Sequence, residues 1–401
     1  MNKFYQVAYY LFMTFIFLYP IALTTAGMEI AFYGSAGIIL ILYITKSVNI
    51  DFYTPLLYPL IILGIWILIG VFFALDKPYS LHDFFVHYVK HILLLVIAMN
   101  LIDSPKKIYT FAWVTVTSAG LFCIGVLINE YIVLKISPTQ RFGLSLVETP
   151  TNHLGIFTIF AMVFISRLFL DEKRPRVRLL LVVLAIPNLL VTFLTQSRSN
   201  IIALFAVIVI LFHRNRQFQI ALLVLIAIVV FSSPLKNRLH VDGAIRHRIS
   251  LYHISKEIIK DYPITGIGFG IDMMGNEQLI DQDLYNQRVD EKYRLKGDLY
   301  LWPHNMFLSM AVRTGLVGLV LYISLWAVCF FMLFRLVRVG QTPFIRQWSL
   351  YVLAALAMFF VKGNLDPIFS VIPETILFLL FSLTSVLWKM NGSRLNHPTH
   401  S

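Results

Sequence analysis

The sequence predicts an all-α polytopic membrane protein with about twelve transmembrane helices. Of the 401 residues, 58% are hydrophobic and 13% are charged, and the mean hydropathy is +0.76. No water-exposed globular surface accommodates that balance. Apolar runs of roughly 17 to 25 residues, long enough to cross a bilayer, recur along the chain. Lysine and arginine concentrate in alternate loops, as they do in proteins that cross a membrane repeatedly.

The apolar runs give the predicted helices in chain order. The first run follows a weakly basic N-terminus and is interpreted as a retained helix, because no clear small-residue cleavage site follows it. No internal repeat or coiled-coil heptad divides the chain, which indicates a single integral membrane domain over residues 1–401. The runs are centred near Phe15, Ile38, Gly64, Leu93, Thr117, Phe160, Val183, Ala206, Leu225, Leu321, Ala355 and Leu380.

The basic loops predict the orientation of the chain. They include Lys3, Lys46, Lys106, "RLFLDEKRPRVR", "HRNRQ" and "RLVRVGQTPFIRQ". All of them lie on one side if the N-terminus is inside, so both termini are predicted to be cytoplasmic. This asymmetry also accounts for much of the net charge of +12, so no nucleic-acid partner is predicted.

Two longer segments lie on the opposite, outer side. The first, about 20 residues long, contains Arg141 and His153, which are candidate substrate-binding residues. The second is a large loop over residues 234–303. Within it, the helical pattern "RISLYHISKEIIKDYP" ends at Pro263, which predicts an amphipathic helix against the membrane face. Long connections are uncommon in compact proteins and tend to be functional.

Arg198 lies in "TQSRSN", a short hairpin between the seventh and eighth apolar runs. The predicted topology places it on the outer side. The enrichment of lysine and arginine in cytoplasmic loops therefore does not explain its presence. One interpretation is a side chain that reaches the phosphates of the outer lipid leaflet. The other is an anion site, because a guanidinium donates two parallel charge-assisted hydrogen bonds to a phosphate.

His304 and Asn305 follow Pro303 at the start of the tenth apolar run. A histidine in that position can exchange protons near neutral pH. Alternatively, it is an interfacial histidine with no chemical role. Asn305 is the expected helix cap.

Other polar residues are candidates with simpler alternatives. Lys362 and Asp366 in "VKGNLDP" form either an ion pair or a ligand contact. Arg248 and Arg288 belong to a basic loop surface that acidic residues partly balance. The glycine series in "DYPITGIGFG" predicts a tight turn, because it lacks the spacing and the βαβ context of a nucleotide loop.

Metal and disulfide chemistry are not predicted. Asp83, His87 and His91 share one face of a helix at a spacing that suits a metal, but nothing else in the chain completes such a site. Cys123 and Cys329, which are the two cysteines, both lie within apolar runs. We therefore predict no metal and no cofactor.

Taken together, "TQSRSN", "RISLYHISKEIIKDYPITGIGFG", "PHNMFLSMAVRTGLVGLVLY" and "VKGNLDP" resemble the O-antigen ligase and polymerase superfamily, and more closely the lipopolysaccharide O-antigen ligases. The resemblance covers about the second half of the chain. It implies a GT-C-type membrane glycosyltransferase that transfers O-polysaccharide from undecaprenyl pyrophosphate to a sugar hydroxyl of lipid A-core. The reaction would occur without a metal, on the periplasmic face of a Gram-negative inner membrane.

The resemblance also implies roles for individual residues. Arg198 and Arg288, the latter in "YNQRVD", would bind the donor pyrophosphate, and the large loop would bring Arg288 and His304 over Arg198. His304 would engage the acceptor, with Arg248 in a lesser role. Many superfamily members have an acidic residue where this chain has Arg313, which is a departure from the pattern. The candidate catalytic residues are His304, Arg198 and Arg288; the candidate substrate-binding residues are Arg248, Asn305, Arg141, His153 and Lys362.

Three alternatives stay open. An O-antigen polymerase uses the same donor, but polymerases usually have two sizeable outer loops and this chain has one. A protein O-oligosaccharyltransferase is usually longer. A transporter of lipid-linked glycan would place charges at the middle of the bilayer, whereas here they collect at one face. The oligomeric state does not follow from the sequence.

Overall fold

The computed structural model describes residues 3–21, 24–137, 151–232, 242–296, 302–366 and 368–393. Within these ranges the chain is helical, and no strand occurs. The helices are α1 (Lys3–Leu18), α2 (Thr25–Ile44), α3 (Leu57–Phe73), α4 (Lys77–Leu101), α5 (Pro105–Val133), α6 (Thr151–Asp171), α7 (Pro175–Leu194), α8 (Arg198–Leu211), α9 (Arg216–Ser232), α10 (Asp242–Asp261), α11 (Gln282–Arg288), α12 (Met306–Val339), α13 (Pro343–Gly363) and α14 (Val371–Ser393).

The fold is that of a polytopic membrane protein. In the described part of the chain, eight helices are long and apolar enough to cross a bilayer: α2, α4, α5, α6, α7, α12, α13 and α14. Each of the remaining four predicted centres lies in a shorter apolar helix, namely α1, α3, α8 or α9. Because these four have only 14 to 17 residues, the count of twelve crossings and the GT-C arrangement stay predictions.

Local sequence explains where several helices begin. Asp76 accepts a hydrogen bond from the backbone N–H of Tyr79 at the start of α4, and Thr342 caps α13 in the same way through Ile345. A proline lies in the first turn of α5, α7 and α13, where its missing N–H leaves no hydrogen bond unmade. α10 ends at Asp261, two residues before Pro263, as the helical pattern predicts.

α13 lies at the centre of the second half of the bundle. It packs against α6, α8, α12 and α14, and it buries Trp348 and Phe359 completely. α14 packs in turn against α4. This arrangement brings the end of α13 next to the beginning of α8 and the beginning of α12. The three ends together form one face of the bundle, the face predicted to be periplasmic.

α12 is broken at Gly315, whose φ of 71° and ψ of −177° are not helical. The ring of Phe307 lies 5.8 Å from that of Tyr322 and 6.5 Å from that of Trp326. In a straight helix, the 19 residues between Phe307 and Trp326 would separate them by about 28 Å. Residues 306–314 therefore fold back beside residues 316–339. The tenth apolar run, which opens at His304, therefore forms two helical segments that meet at Gly315.

A glycine is required at the break because another chain segment occupies the space. A Cβ on Gly315 would lie 1.9 Å from the carbonyl oxygen of Ile264, and only glycine adopts such a positive φ without strain. The backbone N–H of Leu316 donates to the carbonyl of Pro263 at 2.8 Å, and that of Ile267 donates to Val312 at 2.9 Å. The loop after α10 thus supplies the hydrogen bonds that the broken helix lacks.

The glycine series of this loop forms the predicted tight turn. Gly266 and Gly268 have φ values of 69° and 124°, which favour glycine. Arg313, which departs from the expected acidic residue, is buried and donates through Nε to the carbonyl of Phe269 at 2.8 Å. Its guanidinium also lies 4.1 Å from the ring centroid of Phe269 and 4.8 Å from that of Phe369. Arg313 therefore fastens the loop to α12.

Candidate active site

Asp366 is a buried carboxylate that accepts hydrogen bonds from side chains in three parts of the chain. It lies just beyond α13 and is fully buried. One oxygen accepts hydrogen bonds from the Ser199 hydroxyl and from Lys362 Nζ, the latter at 3.0 Å. The other accepts from Nη2 of Arg248 at 2.9 Å. Asp366 thus ties the first turn of α8 and the first half of α10 to the end of α13.

Asp366 stays ionised in this position. Burial by itself would raise the pKa of its carboxyl group. The charge of Lys362, the hydrogen bond from Ser199 and the charge of Arg248 outweigh that effect, so the pKa lies below the usual value. A buried carboxylate that is ionised and hydrogen-bonded holds its donors in fixed positions.

Arg198 begins α8 directly beside Ser199 and is half-buried. Gln196, in the turn before it, has a φ of 48°, which makes the connection from α7 very tight. In the described part of the chain, the Arg198 guanidinium makes no ion pair with a carboxylate. Among these described residues, the three positive charges of Arg198, Arg248 and Lys362 exceed the single negative charge of Asp366. The surplus is positive, as an anion site requires.

His304 lies close to the same carboxylate. Its backbone is in the left-handed region with a φ of 48°, which is uncommon for a residue other than glycine. Its Nδ1 is buried, without a hydrogen-bond partner among the described residues. Burial lowers the pKa of His304, and the nearby charges of Arg248 and His247 lower it further, against the opposing effect of Asp366. The imidazole is therefore neutral at pH 7 and able to accept a proton.

Asn305 holds His304 beside the end of α13. Its Oδ1 accepts hydrogen bonds from the backbone N–H groups of Phe307 and Leu308, both at 3.0 Å, so the predicted helix cap is confirmed. Its Nδ2 donates to Oδ1 of Asn364 at 3.2 Å. Asn364 is two residues before Asp366, and the Asn305 contact therefore links the start of α12 to the buried carboxylate.

The structure does not bring Arg288 to this cluster. Arg288 ends α11 and pairs with Asp261, the last residue of α10. Asp261 lies thirteen residues beyond Arg248 along α10, a distance of about 20 Å by helical rise. Arg288 and Arg198 are therefore associated with opposite ends of α10. The Arg288 pair is also largely exposed, unlike the pair between Lys362 and Asp366.

Of the remaining sequence candidates, Lys362 belongs to the cluster, whereas the side chains of Arg141 and His153 are not described. Lys362 forms the predicted ion pair, fully buried, and also donates to Ser199 Oγ at 2.9 Å. Arg141 lies outside the described residues. His153 belongs to the first turn of α6, and its side chain is not described.

The three residues with metal-like spacing on α4 do not converge. Asp83 accepts a hydrogen bond from the backbone of Ile271, His87 pairs with Glu374, and His91 contacts Thr375. Within the described ranges, no group of three or more His, Cys, Asp or Glu residues could hold a metal ion.

Two members of the cluster were not among the predicted site residues. Ser199 neighbours Arg198, and Asp366 was considered only as the partner of Lys362. The sequence feature that points to Asp366 is the position of "KGNLD" directly after an apolar run. Charged residues at the edge of the hydrocarbon region are energetically costly, and those that occur there are commonly functional.

The comparisons with known proteins concern the family of the chain. No curated protein matches the chain significantly. A family model described as O-Antigen ligase matches residues 179–323, which run from α7 into α12 and include Arg198, Arg248, Arg288 and His304. That family comprises glycosyltransferase-like ligases and polymerases, which supports a transferase. This match, over about a third of the chain, supports membership of the O-antigen ligase superfamily.

Proposed function

We propose that the protein is an O-antigen ligase. It transfers O-polysaccharide from undecaprenyl pyrophosphate to a sugar hydroxyl of lipid A-core, on the periplasmic face of a Gram-negative inner membrane. The observation that carries this proposal is the cluster around Asp366, where Arg198, Arg248 and a neutral His304 lie at one end of the helix bundle. It combines surplus positive charge with a group that can accept a proton.

Arg198 and Arg248 bind the donor pyrophosphate in this proposal. As the bond between the anomeric carbon and the phosphate oxygen breaks, negative charge develops on the pyrophosphate. Fixed guanidinium groups stabilise that charge without having to reorganise. Asp366 fixes Arg248 directly and fixes the turn that carries Arg198 through Ser199.

His304 takes the proton of the acceptor hydroxyl. The hydroxyl oxygen then forms its bond to the anomeric carbon from the side opposite the leaving pyrophosphate, and the configuration inverts. The proton stays on the imidazole until solvent removes it. No covalent intermediate and no metal ion is required by this scheme. Metal independence remains a prediction.

The reaction product separates the ligase from the polymerase. Purified protein in nanodiscs, given lipid A-core and undecaprenyl-pyrophosphate glycan, is expected to yield lipid A-core that carries the glycan. A chelator is expected to leave the rate unchanged. Mass spectrometry of the extracted lipids identifies the product. Lengthened lipid-linked glycan with lipid A-core untouched would establish the polymerase, and inhibition by the chelator would contradict the metal-independent scheme.

The pH dependence tests the role of His304. A base must be unprotonated to act, and the pKa of His304 is lowered from 6.5, so the acidic limb of kcat/KM is expected below pH 6.5. Arg248→Gln removes one of the charges that lower the pKa, and it should move this limb to higher pH. The measurement is the rate of transfer from pH 4.5 to 8, about the range in which a histidine titrates.

A matched variant makes this test specific. His253 stacks on Tyr293 elsewhere on α10, and His253→Gln should leave the acidic limb where it is. If the acidic limb of kcat/KM lies at the same pH in His304→Gln as in the wild type, another group titrates there. The assignment of His304 as the base would then be wrong.

A further inference from the structure

A groove of about 580 Å³ opens between α10 and α12. α10 contributes Tyr252, Lys256 and Lys260 to one wall. The opposite wall comes from both parts of the broken α12, with Leu308 from the segment that folds back and Leu316 from the segment beyond Gly315. The break at Gly315 therefore creates this groove, since a straight α12 would not present both segments to α10.

The two walls differ in chemistry. The wall from α12 is apolar, and Leu316 and the neighbouring Val320 are 48% and 64% exposed, as side chains facing lipid would be. The wall from α10 carries two exposed lysines. None of the described residues that line the groove is acidic. Lys260 pairs with Glu257 beside the groove, whereas no such pair is found for Lys256 among the described residues. Aliphatic surface beside lysine ammonium groups complements an amphiphile with an anionic head.

One end of the groove reaches the candidate active site on the side of His304. Asn305, which directly follows His304, lines the groove. The hydroxyl of Tyr252 donates to the carbonyl oxygen of Asn364 at 3.3 Å, close to the contact that Asn305 makes. α8, which carries Arg198, contributes no described residue to the groove. A molecule at this end of the groove would therefore lie next to the base, His304.

We propose that this groove docks the phosphorylated lipid anchor of the acceptor glycolipid. Lys256 and Lys260 bind its phosphate groups, and the leucines of α12 contact an acyl chain. The inference rests on the proposed function, because the acceptor hydroxyl must reach His304 while the donor pyrophosphate occupies Arg198 and Arg248. It assigns the acceptor a lateral route from the membrane, separate from that of the donor.

The test compares two charge reversals in the same loop. The groove variant is Lys256→Glu with Lys260→Glu. The matched control is Lys292→Glu with Lys296→Glu, two exposed lysines in and just after the short 3₁₀ turn Glu291–Tyr293, which change the net charge equally outside the groove. Because Lys260 also pairs with Glu257, Lys256→Glu alone serves as a second groove variant that leaves that pair intact. Thermal unfolding confirms that each variant is folded.

The readouts are the KM for bisphosphorylated lipid A-core, the KM for the donor, and retention of radiolabelled lipid A-core by nanodisc protein without donor. The groove variant is expected to raise the acceptor KM and weaken retention by at least about tenfold, with kcat and the donor KM unchanged. Dephosphorylated lipid A-core should show no difference between groove variant and wild type.

Each other outcome has a definite meaning. A rise in the donor KM instead would assign the groove to the donor and overturn the proposal, as would an equal effect of the control. If transfer is unchanged when the lysines are replaced, the groove proposal is wrong and the ligase proposal is unaffected. If retention of lipid A-core depends on the lysines but the wild type performs no transfer, the groove proposal holds and the ligase proposal is wrong.

Discussion

Arg198→Ala is expected to lower the turnover number for glycan transfer by about 100- to 1,000-fold. The arginine begins α8 in a turn that Ser199 bonds to the buried Asp366, so the backbone that carries the guanidinium is fixed before the donor arrives. Its loss removes the N–H groups whose hydrogen bonds and positive charge stabilise the leaving pyrophosphate. Arg198→Lys keeps the charge but not the paired hydrogen bonds, and it should retain an intermediate rate. Single-turnover transfer in nanodiscs measures both.

Arg288→Ala provides the comparison for Arg198→Ala. Arg288 pairs with Asp261 at the far end of α10, about 20 Å from Arg248 along the helix. This variant should lose less than about tenfold in rate, because the ion pair that it breaks is exposed and distant from Arg198. An equal loss in both variants would show that the loop carries Arg288 to the donor during turnover. Full activity of Arg198→Ala would exclude the anion site at α8.

Asp366→Ala is expected to abolish transfer and to lower the free energy of unfolding by about 3–5 kcal/mol. Lys362 is fully buried beside Asp366, and removing the carboxylate takes away the opposite charge with which this buried lysine pairs. Arg248 and the first turn of α8 lose their common anchor at the same time. Transfer assays and thermal unfolding in detergent measure the two effects separately.

A double variant separates the two roles of Asp366. Lys362→Met with Asp366→Leu removes both charges and should recover much of the stability, while transfer stays absent because nothing fixes Arg248. Asp261→Ala is the control at a more exposed pair. It removes the partner of Arg288 and an acceptor for the Tyr285 hydroxyl, and it should lower stability by much less than Asp366→Ala. Recovery of transfer in the double variant would mean that Asp366 serves stability alone.

Several site features were predictable because they depend on local sequence. Asn305 caps a helix through backbone groups two and three residues away, and α10 ends just before a proline. Arg198 was conspicuous because an arginine interrupts hydrocarbon on the predicted outer side. The positions of Arg198 and His304 in their turns thus followed from neighbours within a few residues.

Other features could not be predicted because their partners are distant in sequence. Ser199 and Asp366 are 167 residues apart, and Arg248 and Asp366 are 118 apart. No periodicity encodes such contacts. The separation of Arg288 from the cluster likewise depends on the direction of α10, which the loop docked at Gly315 sets.

The sequence by itself determined that this protein is a bundle of membrane helices, because a bilayer requires long apolar segments whose backbone groups are satisfied internally. It also determined which residue types were unusual for that environment. Only the tertiary structure decided which of them meet. The buried Asp366 selects Ser199, Lys362 and Arg248, because an ionised carboxylate away from water must be surrounded by donors. The fold-back at Gly315 then brings His304 to the same place.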